Sequence, residues 1–207
     1  MPDDQPPPAH SLPMLRGERV YLRPAERADL PSFVRWLSDA ETVRNLSVRS
    51  PLSMPLEEQW YEKMLSTHGK SQYHFVICLV GDGRPIGTIG FHHVDYENGG
   101  AEFGVAIGEK GEWDKGYGTD AVNALCDFGF GALRLERIEL EVHADNPRAR
   151  RAYEKAGFVF EGALRHAHFN EGEHVDLQRM ALLRDEWLAL PRRRGWEYAT
   201  DAAPARS

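Results

Sequence analysis

Apolar residues recur along this chain with two different periods. His74-Phe75-Val76-Ile77-Cys78-Leu79-Val80 is an almost unbroken apolar run of strand length. Gly81-Asp82-Gly83-Arg84 after it has the composition of a tight turn, and Ile86 to Val94 reads as the return strand of a hairpin. Arg19-Val20-Tyr21-Leu22-Arg23 alternates and predicts a first strand, closed by Pro24. Asn98-Gly99-Gly100 turns the chain into a strand that opens at Glu102 and includes Phe103-Gly104-Val105-Ala106-Ile107. Period two returns further on, where Ile138, Leu140 and Val142 share one face and Glu139, Glu141 and His143 the other. Phe158-Val159-Phe160 opens another strand. Asn170-Glu171-Gly172 turns it into a return from Val175 to Leu183.

The helical period predicts helices over Asp29 to Leu37, Leu56 to Leu65 and Asp120 to Leu133. Asp29 is the expected cap of the first, with Pro31 in its first turn. Another helix opens at Asp145-Asn146-Pro147, runs to Lys155 and stops at Gly157. A short one holds Trp187, Leu188 and Leu190 before Pro191, while residues 38–55 read as irregular. Residues 1–13 carry five prolines and few hydrophobes, which predicts a disordered tail. The expected organisation is that tail, one domain over 14–190 and a loose C-terminal tail over 191–207.

Composition narrows the class. A 42% hydrophobic content over 207 residues suits one soluble domain with a sizeable core, and no apolar run approaches a membrane span. The first ten residues lack the basic and apolar regions of a secretory signal, and Cys78 and Cys126 read as core thiols, so a cytoplasmic protein is expected. A formal charge of −7 argues against nucleic acid and mildly suits a cationic substrate. Adjacent strand residues face opposite sides, so His92-His93 does not make a metal site, and no metal is expected.

The chemistry gathers around Ala101 to Thr119. There a buried strand leads to the glycine turn Lys115-Gly116-Tyr117-Gly118-Thr119, and a helix follows. Glycines let the backbone approach an anion closely, and the first turn of a helix offers unpaired N–H groups at the positive end of its dipole. Gly116 to Ala121 also matches the dinucleotide pattern G-x-G-x-x-A, with Glu139 about 20 residues on. The upstream antiparallel hairpins, and the eight residues between Ile107 and Gly116, oppose a dinucleotide fold.

Four pieces stand in one order: AEFGVAI, WDKGYGTDA, IELEVHADN and ARRAYEKAGF. Together they resemble the GCN5-related N-acetyltransferase (GNAT) superfamily, most of all its ribosomal-protein N-terminal acetyltransferases (RimJ/RimL-like) and their spermidine acetyltransferase relatives. The resemblance spans roughly residues 17–190. It implies an α/β (α+β) GNAT fold: a mixed, mostly antiparallel sheet of about seven strands with flanking helices. Its central strands, here 101–107 and 137–143, would splay apart at one end to admit acetyl-CoA. Backbone groups left unpaired there need partners, and the amide-rich pantetheine arm can supply them.

The cofactor contacts implied are Val105, Ala106 and Ile107, the loop residues Trp113, Lys115, Gly116, Tyr117, Gly118 and Thr119, and Asn146 and Arg150. Trp113 stands where the family usually has Arg or Gln. Diphosphate binding is therefore expected to rest on the N–H groups of residues 115–119, with Arg148, Arg150, Arg151 and Lys155 available to the 3′-phosphate.

An alkyl ammonium, with a pKa near 10.4, has no free lone pair at neutral pH. Transfer to it needs a base, a stabilised oxyanion and an acid for the departing thiolate. The resemblance makes Tyr153 the acid and Glu141 the base. Glu102 and His143 are alternative bases or amine ligands, and a backbone N–H near Ala106 is the expected oxyanion donor. The function implied is direct acetyl transfer from acetyl-CoA to a primary amine, foremost a protein N-terminus. A polyamine or aminoglycoside is the alternative acceptor, and a homodimer is common among relatives. A non-catalytic acyl-CoA sensor is the competing class; it would need neither Glu141 nor Tyr153.

Overall fold

The computed structural model describes residues 15–200, so the expected disordered stretch 1–13 lies outside the described residues. Eight strands form one sheet: β1 (Leu15–Arg16), β2 (Val20–Pro24), β3 (Tyr73–Leu79), β4 (Pro85–Asp95), β5 (Gly100–Ile107), β6 (Arg137–His143), β7 (Val159–Asn170) and β8 (Glu173–Leu183). Their order across the sheet is β1-β2-β3-β4-β5-β6-β8-β7, and only β5 and β6 run parallel. Helices α1 (Leu30–Leu37), α2 (Ala40–Val43), α3 (Met54–Thr67), α4 (Tyr117–Gly131), α5 (Pro147–Lys155), α6 (Arg184–Ala189) and α7 (Gly195–Thr200) flank it.

The apolar run in β3 follows from burial on both faces. Phe75 and Ile77 join the main core with Leu125 and Phe130 of α4. Val76 and Cys78 face the other way, into a second cluster built on Leu30, Phe33 and Trp36 of α1 and Met64 of α3.

The splay expected between the central strands is present. β5 and β6 pair only at Gly100↔Arg137, Ala101↔Ile138 and Glu102↔Glu139. Beyond that, β5 stays with β4 as far as Gly87↔Ile107, and β6 stays with β8 as far as His143↔Leu177. The result is a V-shaped opening with β5 on one arm and β6 on the other.

Three expectations need correcting. Residues 38–55 are not wholly irregular: Asp39 accepts from the Thr42 amide (2.9 Å) and hydroxyl (3.0 Å) and caps α2. The helix after the glycine turn starts at Tyr117, not Asp120, because Gly116 at φ 83° forms its N-cap. Asp120 is thereby freed to accept from the amides of Glu18 (3.0 Å), Arg19 (2.9 Å) and Val20 (2.9 Å), which pins the β1–β2 turn to α4. Nor is the described part of 191–207 loose. The buried Asp127 carboxylate accepts from Trp187 Nε1 (2.9 Å), Arg192 Nη2 (2.7 Å) and the Gly195 amide (2.7 Å), so α7 is docked on α4. Among the described residues, no helix is long and apolar enough to cross a membrane.

Candidate active site

The glycine turn meets the V-shaped opening at the N-terminus of α4. The Asp120 amide donates to the Gly116 carbonyl (3.1 Å), which leaves the amides of Tyr117, Gly118 and Thr119 without intrahelical partners. A Cβ placed on Gly118 would meet only Ile107 Cγ1, at 3.8 Å, so the space before these amides is open. The helix end and its orphan donors fit an anionic diphosphate.

Backbone direction in β5 sharpens the expected contacts. The Gly108 amide donates to the Ile86 carbonyl (2.8 Å), and the Ala106 carbonyl lies against Gly87, so the main-chain polar groups of both residues point to β4. Alternation turns those of Val105 and Ile107 into the opening. The Val105 amide, and not that of Ala106, is therefore the one that faces the opening. Trp113 takes the Ile107 carbonyl with its indole Nε1 (2.8 Å). The residue that replaces the usual Arg or Gln thus folds the loop back onto the strand. Arg148 sits over its ring at 4.3 Å.

Two expected cofactor contacts are not borne by their side chains. Lys115 Nζ pairs with Glu112 (3.0 Å), while its carbonyl accepts from Arg19, whose guanidinium lies 4.4 Å above the Tyr117 ring. Arg150 turns away to Glu154 (2.9 Å) and Gln178 (3.2 Å). Arg148, Arg151 and Lys155 instead line the cavity of about 320 Å³ in front of the glycine turn. Asn146 also lines it, but its side-chain oxygen accepts from the Ala149 amide (3.1 Å), so it shapes the start of α5.

A second cavity, about 710 Å³, lies between the sheet and the helices α1 and α3. Trp36, Trp60 and Phe75 give it aromatic walls; Glu57, Glu102 and Glu141 give it carboxylates. Glu57 is the unusual one. It is 4% exposed, its amide donates to the Ser53 carbonyl (3.1 Å), its carboxylate has no hydrogen bond or ion pair among the described residues, and burial raises its pKa.

The two cavities share Val105, Ala106, Glu141, His143 and Tyr153, together with Asn45 and Leu46 after α2. That junction is where a group held in one cavity can reach a group held in the other. Tyr153 packs edge-on to Phe103 with centroids 5.8 Å apart, and burial pushes its hydroxyl up to about 12. It therefore keeps its proton at neutral pH. Glu141 lies at the junction, as expected for a site residue, but its carboxylate accepts from Arg179 Nε (3.0 Å) and remains partly open to solvent. The Arg179 pair fixes the orientation of the Glu141 carboxylate and occupies one of its oxygens. Neither cysteine lines either cavity, and both thiols are pushed up by burial, so no thiolate is poised there. Among the described residues, no group of three His, Cys, Asp or Glu could hold a metal ion.

Sequence reading did not find Arg19, Arg179, Glu57 or the pair Arg49–His168. Each acts across more than thirty residues of chain or stands alone on a helix, so no local spacing marks it.

Comparison with known proteins gives a consistent picture. The profile of the acetyltransferase (GNAT) domain matches residues 19–159. The chain is 31% identical over 175 residues to the N-acetyltransferase p20 of Bacillus licheniformis, covering 84% of this chain and 97% of that protein. It is 31% identical over 184 residues to the spermidine N(1)-acetyltransferase of Escherichia coli K12, covering 88% and 91%. Among solved structures, the spermidine N-acetyltransferase of Vibrio cholerae in complex with CoA and spermine superposes with a TM-score of 0.76 at 28% identity. The superposition covers 82% of this chain and 98% of that one.

Proposed function

This chain belongs to the GNAT acetyltransferase family and is an acetyl-CoA-dependent N-acetyltransferase, and on that premise we propose that its acceptor is a polyamine. The observation that carries the reading is Glu57. A buried carboxylate without a partner is costly unless a cation arrives to pair with it. Glu57, Glu102 and Glu141 line one cavity with two tryptophans, which suits a long chain bearing several ammonium groups. The spermidine acetyltransferases among the relatives support the same acceptor, so the polyamine replaces a protein N-terminus as the main reading.

Acetyl-CoA supplies an activated acetyl thioester. In this reading the α4 amides and Arg148 hold its phosphates, and Val105 and Ile107 present main-chain groups along its arm. The Val105 N–H faces the developing oxyanion. Glu141, oriented by Arg179, draws the reacting ammonium to the junction. Tyr153 gives its hydroxyl proton to the departing sulfur and regains one from the new amide nitrogen.

The test compares the wild type with Glu57→Gln, using spermidine and a short monoamine. Hydrogen bonds to charged groups contribute about 1.5–3 kcal/mol, so KM for spermidine should rise roughly 10- to 100-fold. The monoamine KM should stay near wild type, because a short amine reaches the junction without Glu57. An unchanged spermidine KM would remove the carboxylate that carries the reading.

A further inference from the structure

Glu141 is held by Arg179, which leaves the acceptor's proton without an evident destination. The junction contains a second candidate whose surroundings are more telling. His143 closes β6 and borders both cavities together with Tyr153. It is 7% exposed. Its Nδ1 is fully buried with no hydrogen-bond partner, so Nε2 is the nitrogen left to the cavities.

We propose that His143 Nε2 takes the proton from the acceptor amine. The inference rests on the acetyltransferase reading for the position of the junction, and not on which amine is bound there.

The neighbours of His143 explain why this imidazole is the one that takes a proton. Its ring packs on His168 of β7 with centroids 4.0 Å apart, and His168 is itself 8% exposed. Arg49, from the segment before α3, places Nη2 3.0 Å from His168 Nε2 and 3.3 Å from its Nδ1. A guanidinium has only donors, so whichever ring nitrogen accepts from it presents a lone pair, and burial together with the Arg49 charge opposes a proton on His168. Two buried imidazoles at this separation do not both hold a charge, so an added proton settles on His143.

Other charged groups frame the site. Glu141 precedes His143 on β6, and Asp145 follows it in the turn to α5. Tyr153 of α5 lines the same two cavities, and β8 places the apolar Leu177 at its register position. Burial lowers the His143 pKa, His168 and Arg49 lower it further, and Asp145 opposes them. The imidazole is therefore neutral and ready at pH 7.

The protons balance. One leaves the ammonium for His143 Nε2 and passes to solvent. The freed lone pair forms the C–N bond, the C–S bond breaks, and its electron pair leaves with sulfur. Tyr153 protonates that sulfur and is reprotonated by the second amine hydrogen, while the third stays in the amide.

The experiment measures thiol release by wild type, His143→Gln, His143→Ala and Glu141→Gln, from pH 5.5 to 9, with whichever amine the wild type acetylates. A failed polyamine reading then shows as a different wild-type substrate and leaves the comparison intact. Folding of each variant is checked by its melting temperature with and without acetyl-CoA. The expected result is a kcat at least about 100-fold lower in both His143 variants, with KM within about threefold and added imidazole restoring part of the rate to His143→Ala. Glu141→Gln should raise KM and leave kcat near wild type. The proposal is overturned if the His143 variants keep kcat within about threefold of wild type. It is equally overturned if Glu141→Gln alone loses kcat and regains it at high pH.

Discussion

At the scale of single residues, Tyr153 carries the sharpest expectation. Its hydroxyl has no hydrogen-bond partner among the described residues and belongs to the junction of the two cavities. Tyr153→Phe removes one oxygen and little volume, so the packing on Phe103 and Phe158 should survive. Turnover should fall roughly 10²- to 10⁴-fold, the range for an acid–base residue, while acetyl-CoA binding barely changes. Unaltered turnover, with chemistry shown to limit the rate, would reduce Tyr153 to a packing residue. This position was legible because its spacing from Asn146 and the glycine turn is distinctive.

The Arg150 side chain lies off the cavity for a reason visible in the spacing. Arg148, Arg151 and Lys155 stand three and four residues apart and share one face of α5, the face on the cavity. Arg150 and Glu154 form an i,i+4 pair on the opposite face.

Elements explain what single residues do not. The glycine turn works because Gly116 adopts a left-handed φ and Gly118 leaves open space. Valine at Gly116 would mix backbone strain with obstruction, whereas Gly118 does not need a positive φ. Gly118→Val should therefore fold and lose the rise in melting temperature that acetyl-CoA gives the wild type. A full shift in that variant would place the cofactor elsewhere.

The C-terminal segment makes a second test at this scale. Ending the chain at Pro191 removes Arg192 and the Gly195 amide and leaves the buried Asp127 carboxylate with Trp187 alone. Breaking one side of a buried pair costs about 3–5 kcal/mol, so the shortened protein should melt several degrees lower. A loose tail would leave the midpoint unchanged. The strands and most helices were legible because their burial follows a period. The docking of α7 was not, because it depends on one carboxylate about seventy residues away in sequence.

For the whole molecule, histidine burial has a consequence beyond catalysis. His68, His74, His92, His143 and His168 all have pKa values lowered, each chiefly by burial. The unfolded chain then binds protons that the folded one resists, so stability is present above the ordinary histidine value of about 6.5 and is lost as pH falls below it. His74 is held near 4, lowered first by burial and then by His92 and His68, and its share is fully lost only below that pH. Urea midpoints should therefore drop steadily from pH 7 to pH 4, and a flat profile would contradict the burial. Most of these rings line the acceptor cavity, so the same acid range should also weaken binding of a cationic amine.

The central claim is acetyl transfer to a polyamine where the two cavities meet. Thiol release from acetyl-CoA by the wild-type protein tests it most directly, with spermidine, an aminoglycoside and a peptide bearing a free N-terminus as competing acceptors, and with the mass of each product recorded. The predicted result is rapid release with spermidine, an acetylated spermidine as product, and much slower release with the other two. Release that favours the peptide, or no release with spermidine, would contradict it.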